Sequence, residues 1–387
     1  MKINTHIHTP YSFSAFESIR QAFELARQEG IEVLGINDFF VTDGYDEFNQ
    51  LAQEFRIYPL FNVEFIGLLK EEQEAGIRVN DPGNPGRTYF CGKALKFPAY
   101  LSAGNQKKMD EVILESQKQT KEMILRLADC LTEAGAPFLL SFEEIKAKYA
   151  KELVRERHIA KALRVAINDH FSTESETSSF LTRLYSGKEP TVDLSDNSAF
   201  EGELRSRLLK AGGKAFVPEE ASSFLPIPEL MDIIIDAGGI PCYPVLLDDK
   251  NGNYTEFEGD KETLWKRLTE LGVGAVELIP GRNNIEHLSS FVRFFHEKGF
   301  LVTFGTEHNT PEMTPLTVRA VGSTDLDSFL KDVSNDNTCV LVAHQNLLKN
   351  GKEGYLDPSG RCKTEQKAKF VLLGESILEQ YFQKNAM

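Results

Sequence analysis

The sequence has no run of apolar residues approaching the roughly 18 that a membrane-spanning helix needs, and it contains no CxxC pair. Its five cysteines are odd in number and widely spaced, so we expect reduced, mostly buried thiols and neither a disulfide framework nor a zinc knuckle. The amino terminus lacks the basic segment and apolar core of a signal peptide. These absences predict a cytoplasmic globular protein without a membrane segment.

Basic residues are outnumbered by acidic ones, 43 against 58, which gives a formal net charge of −15 at pH 7. A surface of this sign disfavours non-specific binding to nucleic acids or anionic lipids, and the chain has no basic stripe of the kind a nuclease uses. A small anionic substrate would therefore need a local basic pocket inside an acidic shell. The length of 387 residues fits one large domain with insertions, or two domains.

Strand and helix patterns alternate over the first hundred residues, which predicts a parallel sheet. The alternation stops near residue 105, where long helical patterns rich in Lys, Glu and Leu begin, and it resumes near residue 228. After residue 312 the pattern is less regular, and we expect a helix, a short strand at 340–343 and a final helix. The predicted parts are a first barrel segment at 1–104, an inserted helical subdomain at 105–227, a second barrel segment at 228–312 and a carboxyl-terminal extension packed on the barrel at 313–387.

Histidines at positions 6 and 8 stand where the first predicted strand ends. Side chains alternate along a strand, so both imidazoles point to the same side and can bind one ion. Since the carboxyl ends of parallel strands meet at one face of a barrel, other polar residues at predicted strand ends should lie nearby. These are Asn37, Asp38, Glu64, Tyr243, Glu307 and His308. Any one of them is more often an ordinary hydrogen-bonded side chain than a ligand, but together they predict a site for Zn²⁺, Mn²⁺ or Fe²⁺.

The segments that carry these residues resemble the motifs of the polymerase-and-histidinol-phosphatase (PHP) family, in the family's order. They are His6-Ile7-His8-Thr9-Pro10-Tyr11-Ser12-Phe13-Ser14, Ile36-Asn37-Asp38-Phe39, Val63-Glu64-Phe65, Cys242-Tyr243-Pro244, Val276-Glu277-Leu278 and Gly305-Thr306-Glu307-His308-Asn309. The resemblance implies an α/β fold, a distorted (β/α)7 TIM-like barrel with an inserted helical subdomain. It also implies hydrolysis of phosphate esters with up to three metal ions at the barrel mouth.

Several positions depart from the family motifs, because residues that should be ligands are Phe13, Phe39, Tyr89, Tyr243 and Asn309. The resemblance then implies fewer than three divalent ions, held by His6, His8, Glu64 and Glu307. Asp38 or His308 could act as general acid or base within hydrogen-bond reach of the reacting group.

Candidate contacts to an anionic substrate come from two sources. The segment Arg155-Glu156-Arg157-His158-Ile159-Ala160 resembles an RPHIA segment of family members with a helical insertion, which implies a phosphate contact for Arg157 and His158. Further candidates are Arg87, Lys93 and Arg282, which could bind phosphate but which singly are more often surface salt bridges, and Tyr243.

Two functions remain open from the sequence. The first is a metal-dependent phosphoesterase that acts on a small phosphorylated molecule through a reduced, one- or two-metal site. The alternative is a catalytically degenerate barrel that binds a ligand or a partner protein. The surviving HxH pair and both glutamates favour the first, and the aromatic replacements favour the second.

Overall fold

A computed structural model describes residues 1–247 and 254–384. Its single mixed sheet curls into a nearly closed barrel with the strand order β1-β2-β3-β4-β6-β7-β8. The strands are β1 (Ile3–Ile7), β2 (Val33–Phe39), β3 (Tyr58–Leu68), β4 (Arg87–Lys93), β5 (Leu225–Pro226), β6 (Ile240–Val245), β7 (Ala275–Leu278) and β8 (Leu301–Phe304). The predicted fold class, a distorted TIM-like barrel with inserted helices, is confirmed.

Helices surround the barrel and fill the insertion. They are α1 (Ile19–Glu29), α2 (Tyr45–Phe55), α3 (Lys70–Glu74), α4 (Ala103–Glu133), α5 (Phe142–Tyr149), α6 (Glu156–His170), α7 (Glu174–Leu184), α8 (Asn197–Leu204), α9 (Ile227–Asp236), α10 (Lys261–Leu271), α11 (Ile285–Glu297), α12 (Ser328–Lys349) and α13 (Lys367–Lys384). None of the helices described is both long and apolar enough to cross a membrane.

Helix α1 shows how the sequence specifies these elements. The Ser18 side chain accepts a hydrogen bond from the backbone N–H of Gln21, which caps the first turn, and Gly30 ends the helix at a φ of 71°. Apolar residues spaced three and four apart are buried against the barrel, namely Ile19, Ala22, Phe23 and Ala26. The capping residues and the spacing of the apolar residues therefore specify the same helix.

The barrel closes where β1 meets the end of β8. Glu307 forms a parallel bridge with Ile7, and its backbone N–H donates to the carbonyl of His6 at 2.9 Å. A Cβ on Gly305 would lie 2.3 Å from the Cβ of His6, so only glycine allows the two chains this close. The first and last strands are thus brought together at the two motifs that sequence analysis selected.

One strand does not follow the predicted parallel arrangement. The predicted parallel arrangement holds for β1 to β3 and for β6 to β8, but strand β4 is antiparallel to both β3 and β6. The chain returns from β3 through the five-residue helix α3 and a turn-rich segment that includes Asp81 and Gly86, and this connection does not cross over the sheet to restore the strand direction. As a result Arg87 lies opposite Leu68 near the carboxyl ends of the parallel strands, whereas Lys93 lies opposite Ile240 near their amino ends.

The insertion has a hydrophobic cluster of its own. Helices α4 to α8 bury residues such as Leu127, Leu163 and Phe180 in this cluster, while Met109 and Val112 at the start of α4 belong to the barrel core. No strand occurs between β4 and β5 in this part of the described chain.

The carboxyl-terminal helices pack against the amino ends of the strands. Helices α12 and α13 share a buried cluster with strand residues such as Ile3, Leu60 and Ile240. The strand predicted at 340–343 is wrong, because these residues lie inside α12 and are all buried. A helix buried on every side carries the same continuous apolar run as a buried strand, so periodicity cannot separate the two.

Candidate metal centre

Three of the four predicted ligands converge inside the barrel mouth. Candidate ligand atoms of His6, His8 and Glu64 all lie within 4.8 Å of one another, and the three side chains are buried. The two Nε2 atoms are 3.2 Å apart, and His8 Nε2 is 3.1 Å from Oε2 of Glu64. That carboxylate oxygen has no hydrogen-bond partner among the described residues. A buried oxygen without a partner beside two imidazole nitrogens is the donor set a divalent ion would satisfy.

Both imidazoles are held through Nδ1, and Nε2 of His6 also lies 2.9 Å from Nδ2 of Asn37. The Nδ1 of His6 is 2.7 Å from Oε2 of Glu277 and donates to that carboxylate. The hydroxyl of Ser12 donates to Asp38 at 2.6 Å, so its oxygen accepts from Nδ1 of His8 at 3.3 Å. With the proton on Nδ1 in each ring, each Nε2 keeps a lone pair that can accept a hydrogen bond or bind an ion.

Burial sets the protonation of this cluster. It lowers the pKa of His8 to about 4, with Arg157 and Arg155 acting in the same direction and Asp38 and Glu307 against it. Burial also raises the pKa of Glu64 to about 8, with His6 opposing that shift. The neutral histidine is the form that binds metal, and the costly buried carboxylate is the group that a cation would stabilise.

The fourth predicted ligand, Glu307, is adjacent but otherwise engaged. Its carboxylate makes an ion pair with Arg282 and accepts a hydrogen bond from Asn309 at 2.8 Å. Burial opposes its ionisation, but Arg282 together with His6 and His8 lowers the pKa of Glu307 overall. The backbone is left-handed at both Glu307 and His308, with φ of 62° and 57°, which is unfavourable for residues other than glycine. Backbone hydrogen bonds of Glu307 with His6 and His8, and one from the N–H of Ala15 to the carbonyl of His308, hold the strained turn.

The predicted acid–base residues have their polar atoms occupied. The Asp38 carboxylate accepts hydrogen bonds from the N–H and hydroxyl of Thr9, at 2.7 and 2.5 Å, besides the one from Ser12. His308 uses Nδ1 with Thr306 and Nε2 with the carbonyl of Thr314, each at 2.8 Å. Burial raises the pKa of Asp38 and lowers that of His308. Asp38 thus anchors the loop after β1 and orients His8 through Ser12.

Two arginines of the insertion reach this mouth. The Arg155 guanidinium lies 4.6 Å above the ring of Phe39, whose ring is also stacked on His8 with centroids 4.8 Å apart. Arg157 lies 5.6 Å from the centre of the Phe13 ring. Neither guanidinium has an ion-pair partner within residues 1–247 and 254–384. Burial and nearby Arg205 lower the pKa of Arg157 to about 10, which still leaves it charged at neutral pH.

The remaining predicted substrate contacts are placed less favourably. His158 accepts the backbone N–H of Arg155 at 3.0 Å, and burial lowers its pKa to about 3. Arg87 is paired with Asp81 and Glu219, and the Tyr243 hydroxyl donates to Glu258 at 2.9 Å. Lys93 is fully buried and lies 2.6 Å from Oε1 of Glu277.

Sequence reasoning missed two residues of the site. Glu277 holds His6, and sequence analysis placed it in the Val276-Glu277-Leu278 motif without giving it a role, because it lies inside a buried strand. Arg155 belongs to the segment compared with RPHIA, but nothing in its spacing distinguished it from Arg157.

Comparisons with known proteins found one family match and similar solved structures. Residues 4–181 match the family model of the PHP domain. A proposed metal-dependent phosphoesterase from Bifidobacterium adolescentis superposes with a TM-score of 0.55 at 17% identity, covering 86% of this chain and 94% of its own. An amidohydrolase from Chromobacterium violaceum, solved with bound sulfate and no metal, gives a TM-score of 0.49 at 14% identity and covers 86% and 96%.

A search of curated proteins gave no significant match. The family match begins at Asn4, just before His6, and extends through helix α6 into α7, so it includes the HxH pair, Glu64 and the arginines of the insertion. The resemblance drawn from the motifs is confirmed over residues 4–181, the part of the chain that matches the PHP domain.

Proposed function

We propose that this protein is a metal-dependent hydrolase that cleaves the phosphate ester of a small molecule at a site with one metal ion. The observation that carries the proposal is the convergence of His6, His8 and the unpartnered Glu64 oxygen beneath two arginines without an ion-pair partner in the described chain. The PHP-domain match and the fold support a hydrolase in general. The small anionic substrate and the single metal ion are proposed beyond this general support.

Each residue of the mouth has a separate task in this proposal. His6, His8 and Glu64 would hold the ion, which when bound supplies Lewis acidity at a phosphoryl oxygen and acidifies water. Glu277 and Asp38 keep the two imidazole protons on Nδ1, so that each Nε2 has a lone pair that an ion could use. Arg157 and Arg155 attract and orient the anionic group, since a guanidinium in a partly buried site binds phosphate strongly.

Aromatic side chains restrict the site to fewer ions. Phe39 covers one face of His8, and Phe13 packs edge-on against His158 with ring centroids 5.0 Å apart. Neither ring can coordinate a metal, and both stand where the PHP motifs carry ligands. The same rings keep the alternative function open, a barrel that binds a ligand or partner without catalysis.

Metal content and a substrate panel test the proposal together. We expect chelator-treated protein to regain about one equivalent of Zn²⁺, Mn²⁺ or Fe²⁺ and to release phosphate from some members of a panel of phosphate monoesters and diesters. The double variant His6→Ala/His8→Ala should lose both properties. The variant His170→Ala, which changes an exposed histidine of the insertion, should retain both.

Absence of bound metal after reconstitution would contradict the hydrolase and favour the binding protein. Metal binding without turnover on any phosphate ester would contradict the substrate class.

Replacing Arg157 by alanine should weaken binding of the anionic substrate. Loss of a hydrogen bond to a charged group typically costs roughly 1.5–3 kcal/mol, so we expect KM to rise about 10–100-fold with little change in metal content. Steady-state kinetics at several salt concentrations would measure it. The control is Arg126→Ala, which removes an exposed arginine of the same insertion. An unchanged KM would exclude Arg157 from the substrate site.

A further inference from the structure

A second group of potential ligands lies next to the first, on the other side of the His6 ring. Ligand atoms of His6, Cys91 and Glu277 lie within 4.8 Å of one another, and all three residues are buried. Oε2 of Glu277 is 2.7 Å from Nδ1 of His6 and 3.8 Å from Sγ of Cys91. A thiol, an imidazole and a carboxylate form a donor set that suits Zn²⁺.

A lysine already supplies positive charge at this position. The Nζ of Lys93 lies 2.6 Å from Oε1 of Glu277 and 3.3 Å from Oδ1 of Asn37, and the side chain is completely buried. Asn37 in turn touches His6 at 2.9 Å and Cys91 at 3.5 Å. The ammonium therefore contacts the same carboxylate and the same amide that surround the second group of ligands.

The antiparallel direction of β4 explains why a lysine can be here. Cys91 pairs with Glu64 on β3, and Lys93 two residues later faces the same side of the sheet, deeper in the barrel. Were β4 parallel to its neighbours, its last residues would lie at the mouth. The strand instead carries the ammonium to the barrel floor, beneath His6.

We infer that the Lys93 ammonium takes the place of a second metal ion, and that a small neutral residue at this position would turn His6, Cys91 and Glu277 into a second metal site. The lysine state is neutral, whereas the zinc state would carry one net negative charge, which would face the cation of the upper site. With lysine, one ammonium offsets the Glu277 carboxylate. With Zn²⁺, the Cys91 thiol and His6 Nδ1 each release a proton, and thiolate, carboxylate and bridging imidazolate surround the ion.

The lysine also has a consequence for the upper site. While Lys93 neutralises Glu277, that carboxylate acts as a hydrogen-bond acceptor for His6 and not as a ligand. His6 then keeps its proton on Nδ1 and offers Nε2 upward to His8 and Glu64. Lys93 is thus a positioning residue that limits the barrel to one ion. The part of this inference that concerns the upper ion rests on the proposed function.

Metal stoichiometry tests the inference. Protein equilibrated with Zn²⁺ and passed over a desalting column is analysed by mass spectrometry of the metal. We expect about one equivalent in wild type and in Lys93→Arg, which keeps the cation, and about two in Lys93→Ala. The double variant Lys93→Ala/Cys91→Ser should return to about one, and Cys91→Ser alone should match wild type.

Cobalt substitution gives an independent readout. Wild type loaded with Co²⁺ should lack a thiolate-to-cobalt charge-transfer band, and Lys93→Ala should show one that disappears with Cys91→Ser. A Cys91-dependent band in wild type would overturn the inference, even if Lys93→Ala cannot be folded. One equivalent in a folded Lys93→Ala would overturn it as well.

The metal content of wild type and Lys93→Ala distinguishes a failure of the Lys93 inference from a failure of the proposed hydrolase. One equivalent in wild type and in Lys93→Ala removes the role of Lys93 and leaves the hydrolase intact. No metal in wild type but one Cys91-dependent equivalent in Lys93→Ala supports the role of Lys93 and contradicts the hydrolase. No metal in either protein contradicts both.

Discussion

Replacing Glu64 by glutamine should weaken metal binding by more than about 100-fold and, at the same time, stabilise the metal-free protein at alkaline pH. The first effect follows because even outer-shell partners of a metal ligand are worth about 10–100-fold in affinity, and Glu64 would be a direct ligand. The second follows because the buried carboxylate has no hydrogen bond at Oε2 in the described structure. Opposite effects on stability and binding are typical of a functional site.

The pH dependence of this effect has a definite sign. Burial raises the pKa of Glu64 from its ordinary 4.5 to about 8 in the folded chain. Its stabilising contribution is therefore complete below pH 4.5 and is lost as the pH rises through 8. At about 1.4 kcal/mol per pH unit, and discounting for its neighbours, we expect the metal-free wild type to lose roughly 2–4 kcal/mol over this interval relative to the glutamine variant.

Urea denaturation of chelated protein between pH 4.5 and 9 would measure the difference. The matched control is Glu54→Gln, since Glu54 is an exposed glutamate paired with Arg20, and its pH profile should follow wild type. If Glu64→Gln bound metal as tightly as wild type, Glu64 could not be a ligand.

Replacing Asp38 by alanine should destabilise the protein by roughly 2–4 kcal/mol and weaken metal binding about 10–100-fold. The loss leaves three buried donors unpaired, two from Thr9 and one from Ser12. Ser12 would no longer have its hydroxyl proton directed to a carboxylate, so it would orient the His8 imidazole less well. Denaturation and a competitive metal titration would measure both effects.

The asparagine variant separates positioning from acid–base catalysis. In Asp38→Asn the amide oxygen still accepts from Thr9 and Ser12, so we expect hydrolysis to remain within about tenfold of wild type. If Asp38 were instead the general base, this variant would lose turnover while its metal content and stability stayed normal. Asp196→Ala, which removes an exposed helix cap in the insertion, is the control for a loss of stability without a loss of metal.

Much of the site followed from strand periodicity and strand order. The side chains of His6 and His8 had to share a face, and a barrel had to bring Glu64 from the third strand to the same mouth. The order of strands and helices around the barrel followed from apolar periodicity and caps, because each element buries one face against the barrel.

The remaining parts depended on tertiary partners that no local pattern encodes. The ion pair of Glu307 with Arg282 forms between two loops that follow different strands. The reversed direction of β4, which takes Lys93 from the mouth to the floor, depends on how one irregular connection folds back. The position of a residue at the end of a strand does not show whether its side chain binds a metal ion or pairs with a neighbouring charged side chain.

The first helix of the insertion serves two hydrophobic clusters. Helix α4 runs without interruption from Ala103 to Glu133, about 46 Å at the usual rise per residue, with its start in one cluster and its end in the other. Deletion of the insertion would remove Met109 and Val112 from the barrel core and expose the apolar side chains that they cover. The segment that carries Arg155 and Arg157 is joined to this helix, because the Gln117 side chain donates to the carbonyl of Val154 and accepts from its N–H. Helix α4 therefore couples the position of these arginines to the barrel core.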